Sequence, residues 1–180
     1  MAAPIRPAGV SAFGNEKWII VPKGVILDPE NPTEDEINDP TALDISGFLY
    51  VDGFDGLTSD TTRVNAPRRI MDRSQNQSLG TTTRTMGDLI YTLSPQSADN
   101  SDEKKAYTTL LEGLEFDLVW GPGLDKDADV AGGDFVKVIP ITLGPQDETT
   151  TGRGEEGEFA VRQAVGITDI PTRLVEVATS

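Results

Sequence analysis

A run of aspartates late in the chain holds the residues best suited to binding a ligand. The stretch DKDADVAGGD places Asp125, Asp127 and Asp129 at the first, third and fifth positions, which is the spacing of a calcium-binding loop. Its sixth position is Val130, where the sharp turn of such a loop needs glycine. Its twelfth is Val136, where a bidentate glutamate belongs. The sequence therefore favours a solvated connection between strands and leaves a looser form of calcium binding open.

The residues that the chain lacks exclude several kinds of chemistry. Without cysteine there can be no disulfide, thiolate metal site or cysteine nucleophile. Without histidine there is no serine–histidine catalysis, no usual zinc site and no ordinary proton shuttle near neutral pH. Paired carboxylates remain conceivable, but nothing singles out one pair among the 30 acidic residues. We therefore expect no enzyme activity, no catalytic residues, no bound metal and no cofactor.

The net charge of −15 bears on possible partners, because proteins grip nucleic acid by neutralising its phosphates. The charge therefore argues against tight binding of DNA, whereas it would suit a surface that DNA must pass without adhering. Residues 28–44 concentrate seven acids and no base. These acids are Asp28, Glu30, Glu34, Asp35, Glu36, Asp39 and Asp44. A solvated acidic loop is the favoured interpretation, and the capping-box spacing of Thr33 and Glu36 leaves a single helical turn open.

The segment Asp60–Arg84 has the opposite character. Its five arginines and two aspartates give it a net charge of +3, whereas the rest of the chain carries −18. The arginines are Arg63, Arg68, Arg69, Arg73 and Arg84. Long polar excursions in compact domains are usually functional or disordered. We predict a β-arm, within residues 52–87, that docks on an acidic surface of another copy of the chain; a solvated loop is the alternative.

One helix is predicted, at about residues 102–113. Asn100 and Glu103 have capping-box spacing at its start, and Gly113 supplies a left-handed stop. Its apolar face would cover the open side of a β layer. That face consists of Ala106, Tyr107, Leu110, Leu111 and Leu114.

The remaining hydrophobic patterns predict strands. They are Lys17–Val21, Ile45–Val51, Asp88–Leu93, Glu115–Trp120, Asp134–Leu143, Phe159–Ile167 and Leu174–Val177. An acidic, threonine-rich hairpin loop is expected at Gly144–Gly157. Even spacing of strands with a single helix indicates a mainly-β sandwich or barrel in one domain, residues 1–180, preceded by an extended arm at residues 1–16. No apolar run has the roughly 20 residues needed to cross a bilayer, and the N-terminus lacks a signal peptide's apolar core, so we expect no membrane association.

The order of these segments resembles the major tail protein, or tail tube subunit, of long-tailed siphoviruses, most closely those of phages of actinobacteria. The resemblance rests on the succession KWIIVP, the acidic PTEDEINDPTALDISGFLYVDG, the arginine arm, MGDLIYTLSPQ, DEKKAYTTLLEGLEFDLVWGPG, AGGDFVKVIPITLG and EGEFAVRQAVGIT. It covers nearly the whole chain. An additional C-terminal immunoglobulin-like domain, found in some members, is not expected here.

The resemblance implies a β-sandwich-like structural subunit that assembles into hexameric rings stacked as a tube, the conduit for genome delivery. It implies that the long arm reaches the neighbouring ring, and that the tape measure, tail terminator and distal tail proteins are partners. It places the protein in the virion tail, and in the host cytoplasm during assembly. From the residues alone, a calcium-assisted carbohydrate-binding module using Asp125, Asp127 and Asp129 with exposed aromatic residues is the alternative.

Overall fold

The computed structural model describes residues 9, 11–12, 14–51, 54, 56–71, 73–152 and 155–179. The strands are β1 Glu16–Pro22, β2 Leu43–Asp44, β3 Leu57–Asn65, β4 Gln77–Met86, β5 Leu89–Thr92, β6 Glu115–Pro122, β7 Phe135–Thr150, β8 Phe159–Ile167 and β9 Val175–Glu176. The helices are α1 Glu34–Ile37 and α2 Lys105–Thr109, and a 3₁₀ turn, Asp102–Lys104, leads into α2. The predicted N-terminal arm, residues 1–16, lies largely outside the described residues.

Two sheets make up the fold, and the larger is a curled half-barrel. Its strands run β2-β1-β6-β7-β8-β5, every neighbouring pair is antiparallel, and β9 pairs with the start of β7. The smaller sheet is the two-stranded ribbon β3–β4. The prediction of a mainly-β fold is confirmed.

The large sheet is buried on both faces at its centre, where each face carries its own hydrophobic cluster. Strand β6 shows this division most clearly. Phe116 and Leu118 belong to one cluster, and Val119, one residue out of phase, belongs to the other. Successive side chains of a strand point to opposite faces, so β6 contributes to both clusters. The strand predicted at Glu115–Trp120 is present, and it is buried on both faces: even Asp117 is fully buried.

The helix α2 covers the first cluster, but it is shorter than predicted. Ala106 and Leu110 are buried against the sheet, and the helix ends at Leu110. Leu111 and Leu114 are 49% and 44% exposed, so the predicted apolar face does not continue through them. Five residues give little more than one helical turn, which is enough to bury only one short apolar stripe.

The predicted signals at the two ends of this helix have other roles. Ser101, not Asn100, precedes the 3₁₀ turn, and it makes no capping hydrogen bond. Gly113 does adopt a left-handed conformation, with φ of +77°. Its N–H donates to the carbonyl of Leu143, 2.8 Å away, so this glycine turns the chain into β6 and does not cap α2.

The segment Ile45–Val51, predicted to be a buried strand, instead joins the two ends of the curled sheet. The Ile45 N–H donates to the carbonyl of Trp18 on β1, and Leu49 forms a bridge with Tyr91 on β5. Between these contacts the Leu49 N–H donates to the carbonyl of Ile45, which closes a single turn. One helical turn advances only about 6 Å. The first and last strands are therefore close together, and this turn closes the open side of the half-barrel.

Strand β7 is longer than predicted. It continues through Thr150, because residues Gln146–Thr150 pair with Phe159–Gln163 of β8 across a bulge that follows Leu143. The predicted hairpin loop at Gly144–Gly157 therefore shrinks to the few residues between β7 and β8. In β8, Val161 is buried in the first cluster and Val165 and Ile167 pack against it, whereas Phe159 is 60% exposed because it lies at the far end of this hairpin.

Candidate assembly interface

The arginine-rich segment folds into a two-stranded β-ribbon, here called the arm and defined as Leu57–Met86. Its strands pair from Leu57↔Met86 at the foot to Asn65↔Gln77 near the tip, with one bulge between Thr61 and Arg63. The predicted β-arm is thus confirmed as a structure. Its cross-strand contacts are largely polar: Thr58 faces Thr85 and Thr61 faces Thr82, each pair with hydroxyl oxygens 2.8 Å apart.

The arm has almost no core of its own. All of its strand residues are exposed except Leu57 and Thr61, which are half-buried, and Met86, which is buried. An isolated two-stranded ribbon is at best marginally stable in water. The arm therefore gains little stability from the rest of its own subunit beyond its foot.

Large apolar side chains are exposed along the arm. Ile70 is fully exposed and Met71 is 92% exposed at the tip, while Val64 and Leu79 are exposed on opposite faces of the ribbon. The sequence analysis did not identify these residues as a contact surface, because it considered only the charge of this segment. The available signal was the pair Ile70–Met71, which stands alone in an otherwise polar stretch. Clustered apolar side chains that protrude into solvent mark a contact surface.

The arm's five arginines are all exposed, and those nearest the apolar pair flank it on both sides. Arg68 and Arg69 precede Ile70, and Arg73 follows Met71 after the single acid Asp72. Arginine pairs with carboxylates in a bidentate manner and stacks on aromatic rings. The tip thus combines positive charge with apolar surface.

The acidic run at 28–44 is not a free acidic loop. Glu36 and Thr33 form a complete capping box at the start of α1, so the less favoured alternative, a single helical turn, is the correct one. Glu34 accepts a hydrogen bond from the Gly132 N–H, Asp44 from the Ser46 N–H, and Asp39 from the Thr41 N–H. The hydroxyl and N–H of Thr41 also lower the pKa of Asp39, because their hydrogen bonds favour its charged form. Most of these carboxylates therefore organise the local backbone.

The aspartates of the calcium-like loop do not converge. Asp125 accepts a hydrogen bond from the Asp127 N–H, and both oxygens of Asp127 lie 2.7 Å from the ammonium of Lys126. Within the described part of the chain, no three acidic side chains are placed to hold a metal ion. The arrangement is that of a solvated turn.

An aromatic pocket of about 300 Å³ lies at the foot of the arm. The Trp18 and Trp120 rings stack at 5.7 Å, and Phe54 meets Trp18 edge-on at 4.8 Å. Leu57, the first residue of β3, also lines the pocket, with Glu16 and Lys137 as its charged residues. Trp18 is buried in the first hydrophobic cluster, and Trp120 is half-buried and packs against it.

A buried polar network fixes α2 to the sheet. The amide of Gln163 donates to the carbonyls of Leu110 and Gly144, at 2.9 and 2.8 Å, and its oxygen accepts from the Tyr91 hydroxyl. Gln146 donates to the Tyr91 oxygen and to the carbonyl of Tyr107. The network therefore ties the end of the helix to the bulge of β7. The alternation of β8 puts Gln163 on the same face as Val161 and Val165, but no local pattern shows which groups it bonds to.

A mainly-β half-barrel that projects a polar ribbon with an apolar, basic tip has the design of a subunit that contacts other subunits. The chain belongs to the phage tail tube protein family, whose sequence model matches residues 3–179. It is therefore a structural protein of the bacteriophage virion, a major tail protein located in the tail tube. This confirms the resemblance drawn from the order of its segments. No curated protein matches the chain.

The family is one of structural proteins and not of enzymes. No helix among the described residues is long and apolar enough to cross a membrane.

Proposed function

We propose that the protein forms homo-hexameric rings that stack into the tail tube, through which the phage genome passes into the host. Assembly of a tube from copies of one chain follows from the family; the hexameric ring, the stacking contact and the role in genome delivery are the proposal. The arm carries it. A ribbon with exposed Ile70 and Met71 and little core of its own is stabilised when a neighbouring copy covers it.

The arm supports contact between rings. Its paired strands span nine residues of β3, which is about 30 Å at about 3.3 Å per residue. A globular chain of 180 residues has a radius of gyration of about 16 Å and so a diameter of about 40 Å. With its tip residues included, the arm thus reaches roughly one subunit away, to the next copy along a stack and no further.

Strand β7 supports contact within a ring. Pairing with β6 ends at Glu115↔Thr142, whereas β7 continues to Thr150 paired only with β8. The distal part of β7 therefore has no partner strand on its other side among the described residues. Exposed strand edges invite pairing with another chain, and ring closure would occupy this edge.

The charge of the body supports passage of DNA without adhesion. Six copies would carry a formal charge of about −90, screened beyond a Debye length of about 10 Å. A lumen lined by part of this charge repels phosphates, so the genome would pass without specific binding. The protein would have no catalytic activity and would assemble in the host cytoplasm. By family resemblance, the tape measure, tail terminator and distal tail proteins would be its partners there.

Electron microscopy of the purified protein, alone and co-expressed with its tail partners, tests the proposal. We expect rings or tubes with six-fold symmetry in averaged end views. We also expect the sedimentation coefficient to increase sharply above a critical protein concentration. A different ring symmetry would contradict the hexamer. A protein that remains monomeric at every concentration, with and without those partners, would refute assembly as its function.

A further inference from the structure

We propose that the aromatic pocket at the foot of the arm is the receptor for the arm tip of the next subunit in the stack. The occupant is a second copy of this chain: Ile70 and Met71, with their flanking arginines, would enter the pocket formed by Trp18, Phe54 and Trp120. The inference rests on the proposed stacking function and deepens it, because it names the two surfaces that meet.

Geometry points to this pocket. In a stack of identical subunits, each copy is related to the next by one repeat, and the repeat is about the height of a subunit. An arm that is about one subunit long therefore brings its tip close to the position equivalent to its own foot, in the next copy. The pocket lies at that foot, because it is lined by Gly56 and Leu57 at the start of β3.

The chemistry of the two surfaces is complementary. Arginine guanidinium groups and the methionine thioether both make favourable contacts with aromatic rings, and the pocket offers two stacked indoles and one phenyl ring. The Trp120 ring is half-buried and packs against the first hydrophobic cluster, so an incoming apolar side chain would meet an indole that is already held in place. Glu16, whose carboxylate lies 3.4 Å from the indole nitrogen of Trp18, supplies a negative charge at the pocket for an arginine.

A cross-link between two kinds of subunit tests the contact. The chain has no cysteine, so Met71→Cys in one preparation and Leu57→Cys in another provide unique thiols. After co-assembly, a short bismaleimide should join the two variants into a covalent dimer. The matched control replaces Leu57→Cys with Leu27→Cys, which is 83% exposed and does not line the pocket. We expect at least a tenfold higher dimer yield with the pocket thiol.

Equal yields with both partners, or no dimer in well-formed tubes, would overturn the contact while leaving tube formation intact. Failure of the unmodified protein to assemble would instead refute the proposed function. If the cysteine variants do not assemble, tryptophan fluorescence of the unmodified protein tests the contact instead. Trp18 and Trp120 are the only tryptophans in the chain, and both line the pocket. Assembly of the unmodified protein should then reduce quenching by acrylamide at least twofold, and unchanged quenching would overturn the contact.

Discussion

At the scale of single residues, Tyr91 shows how the interior of this β protein is specified. Its ring is fully buried in the first hydrophobic cluster, and its hydroxyl lies between Gln163 and Gln146. Burial raises the pKa of Tyr91 to about 12, because the charged phenolate would be poorly solvated there. The pKa values of Tyr50 and Tyr107 are also raised, by burial in the first case and by the hydrogen bond to Glu148 in the second.

A pH dependence of stability follows. The folded protein binds the phenolic proton of Tyr91 more tightly than the unfolded chain, whose tyrosine pKa is about 10. The stabilisation is thus fully present below pH 10 and is lost as the pH rises toward 12. We expect the free energy of unfolding, measured by urea titration, to decrease over this interval. In Tyr91→Phe the decrease should be smaller, and stability at pH 7 should fall by about 1–3 kcal/mol because Gln163 and Gln146 lose a partner.

Tyr50→Phe is the comparison: burial also raises the pKa of Tyr50, so this variant should reduce the alkaline decrease too, but by less than Tyr91→Phe because Tyr50 is only half-buried. If Tyr91→Phe shows the same decrease as the unmodified protein between pH 10 and 12, burial of Tyr91 does not govern alkaline stability.

Little of this network could be predicted from the sequence. Gln163 occupies an inward position of β8, but its partners Leu110 and Gly144 come from a helix end and a bulge far away in the chain. The exposure of Leu111 and Leu114 was unpredictable for a related reason. Their spacing fits a helix, yet the turn at Gly113 directs the chain into β6 before they can pack.

At the scale of elements, local patterns predicted some strands well and others poorly. Strand β1 was predicted from a short apolar run before Pro22, and β6 and most of β8 from hydrophobic patterns that continue along the whole strand. The apolar run at Ile45–Val51 was misread because a turn that contacts two strands buries as much apolar surface as a strand does. The distal half of β7 was missed because its exposed residues carry no hydrophobic signal.

Charge on the arm tip should control stacking and not folding. The double substitution Arg68→Glu with Arg69→Glu places negative charge on a tip that must approach a strongly acidic neighbour. Because both side chains are exposed, the free energy of unfolding should change by about 0.5 kcal/mol or less. The critical concentration for tube assembly, measured by sedimentation, should rise at least about tenfold, which corresponds to about 1.4 kcal/mol.

The matched control is Lys126→Glu with Arg173→Glu, which changes the net charge equally at exposed positions away from the arm. A similar rise in critical concentration for this control would show that overall charge, and not the arm tip, limits assembly. Tubes of normal length and yield from the tip variant would contradict a docking role for its arginines.

At the scale of the whole molecule, charge and hydrophobic pattern together were the most useful guide. The acidic body and the basic arm predicted a self-associating protein, and evenly spaced hydrophobic runs predicted a β fold, before any contact was known. Closure of the half-barrel by the turn at Ile45–Leu49 is a contact between distant parts of the chain, and no local pattern reports it. The aromatic pocket likewise forms only when β1, β6 and the foot of the arm come together.

The acidic body leads to a prediction for assembled tubes. Double-stranded DNA mixed with tubes at about 0.15 M salt should not co-sediment with them, because like charges repel over the Debye length of about 8 Å. Amidation of surface carboxylates leaves the lysines and arginines charged and should produce DNA binding that weakens as salt is added. Salt-sensitive binding of DNA by untreated tubes would contradict a non-adhesive surface.

The ribbon structure of the arm also constrains how such tubes can diverge. Arg63 and Leu79 share one face of the ribbon, while Val64 and Ser78 share the other. Inserting one residue into each strand would exchange these faces at the tip, whereas inserting two into each would restore them. Arm length is thus quantised, in increments of about 7 Å. Related tail tube proteins with a different spacing between rings are therefore expected to differ by two residues in each strand of the arm, or to have different residues at the tip.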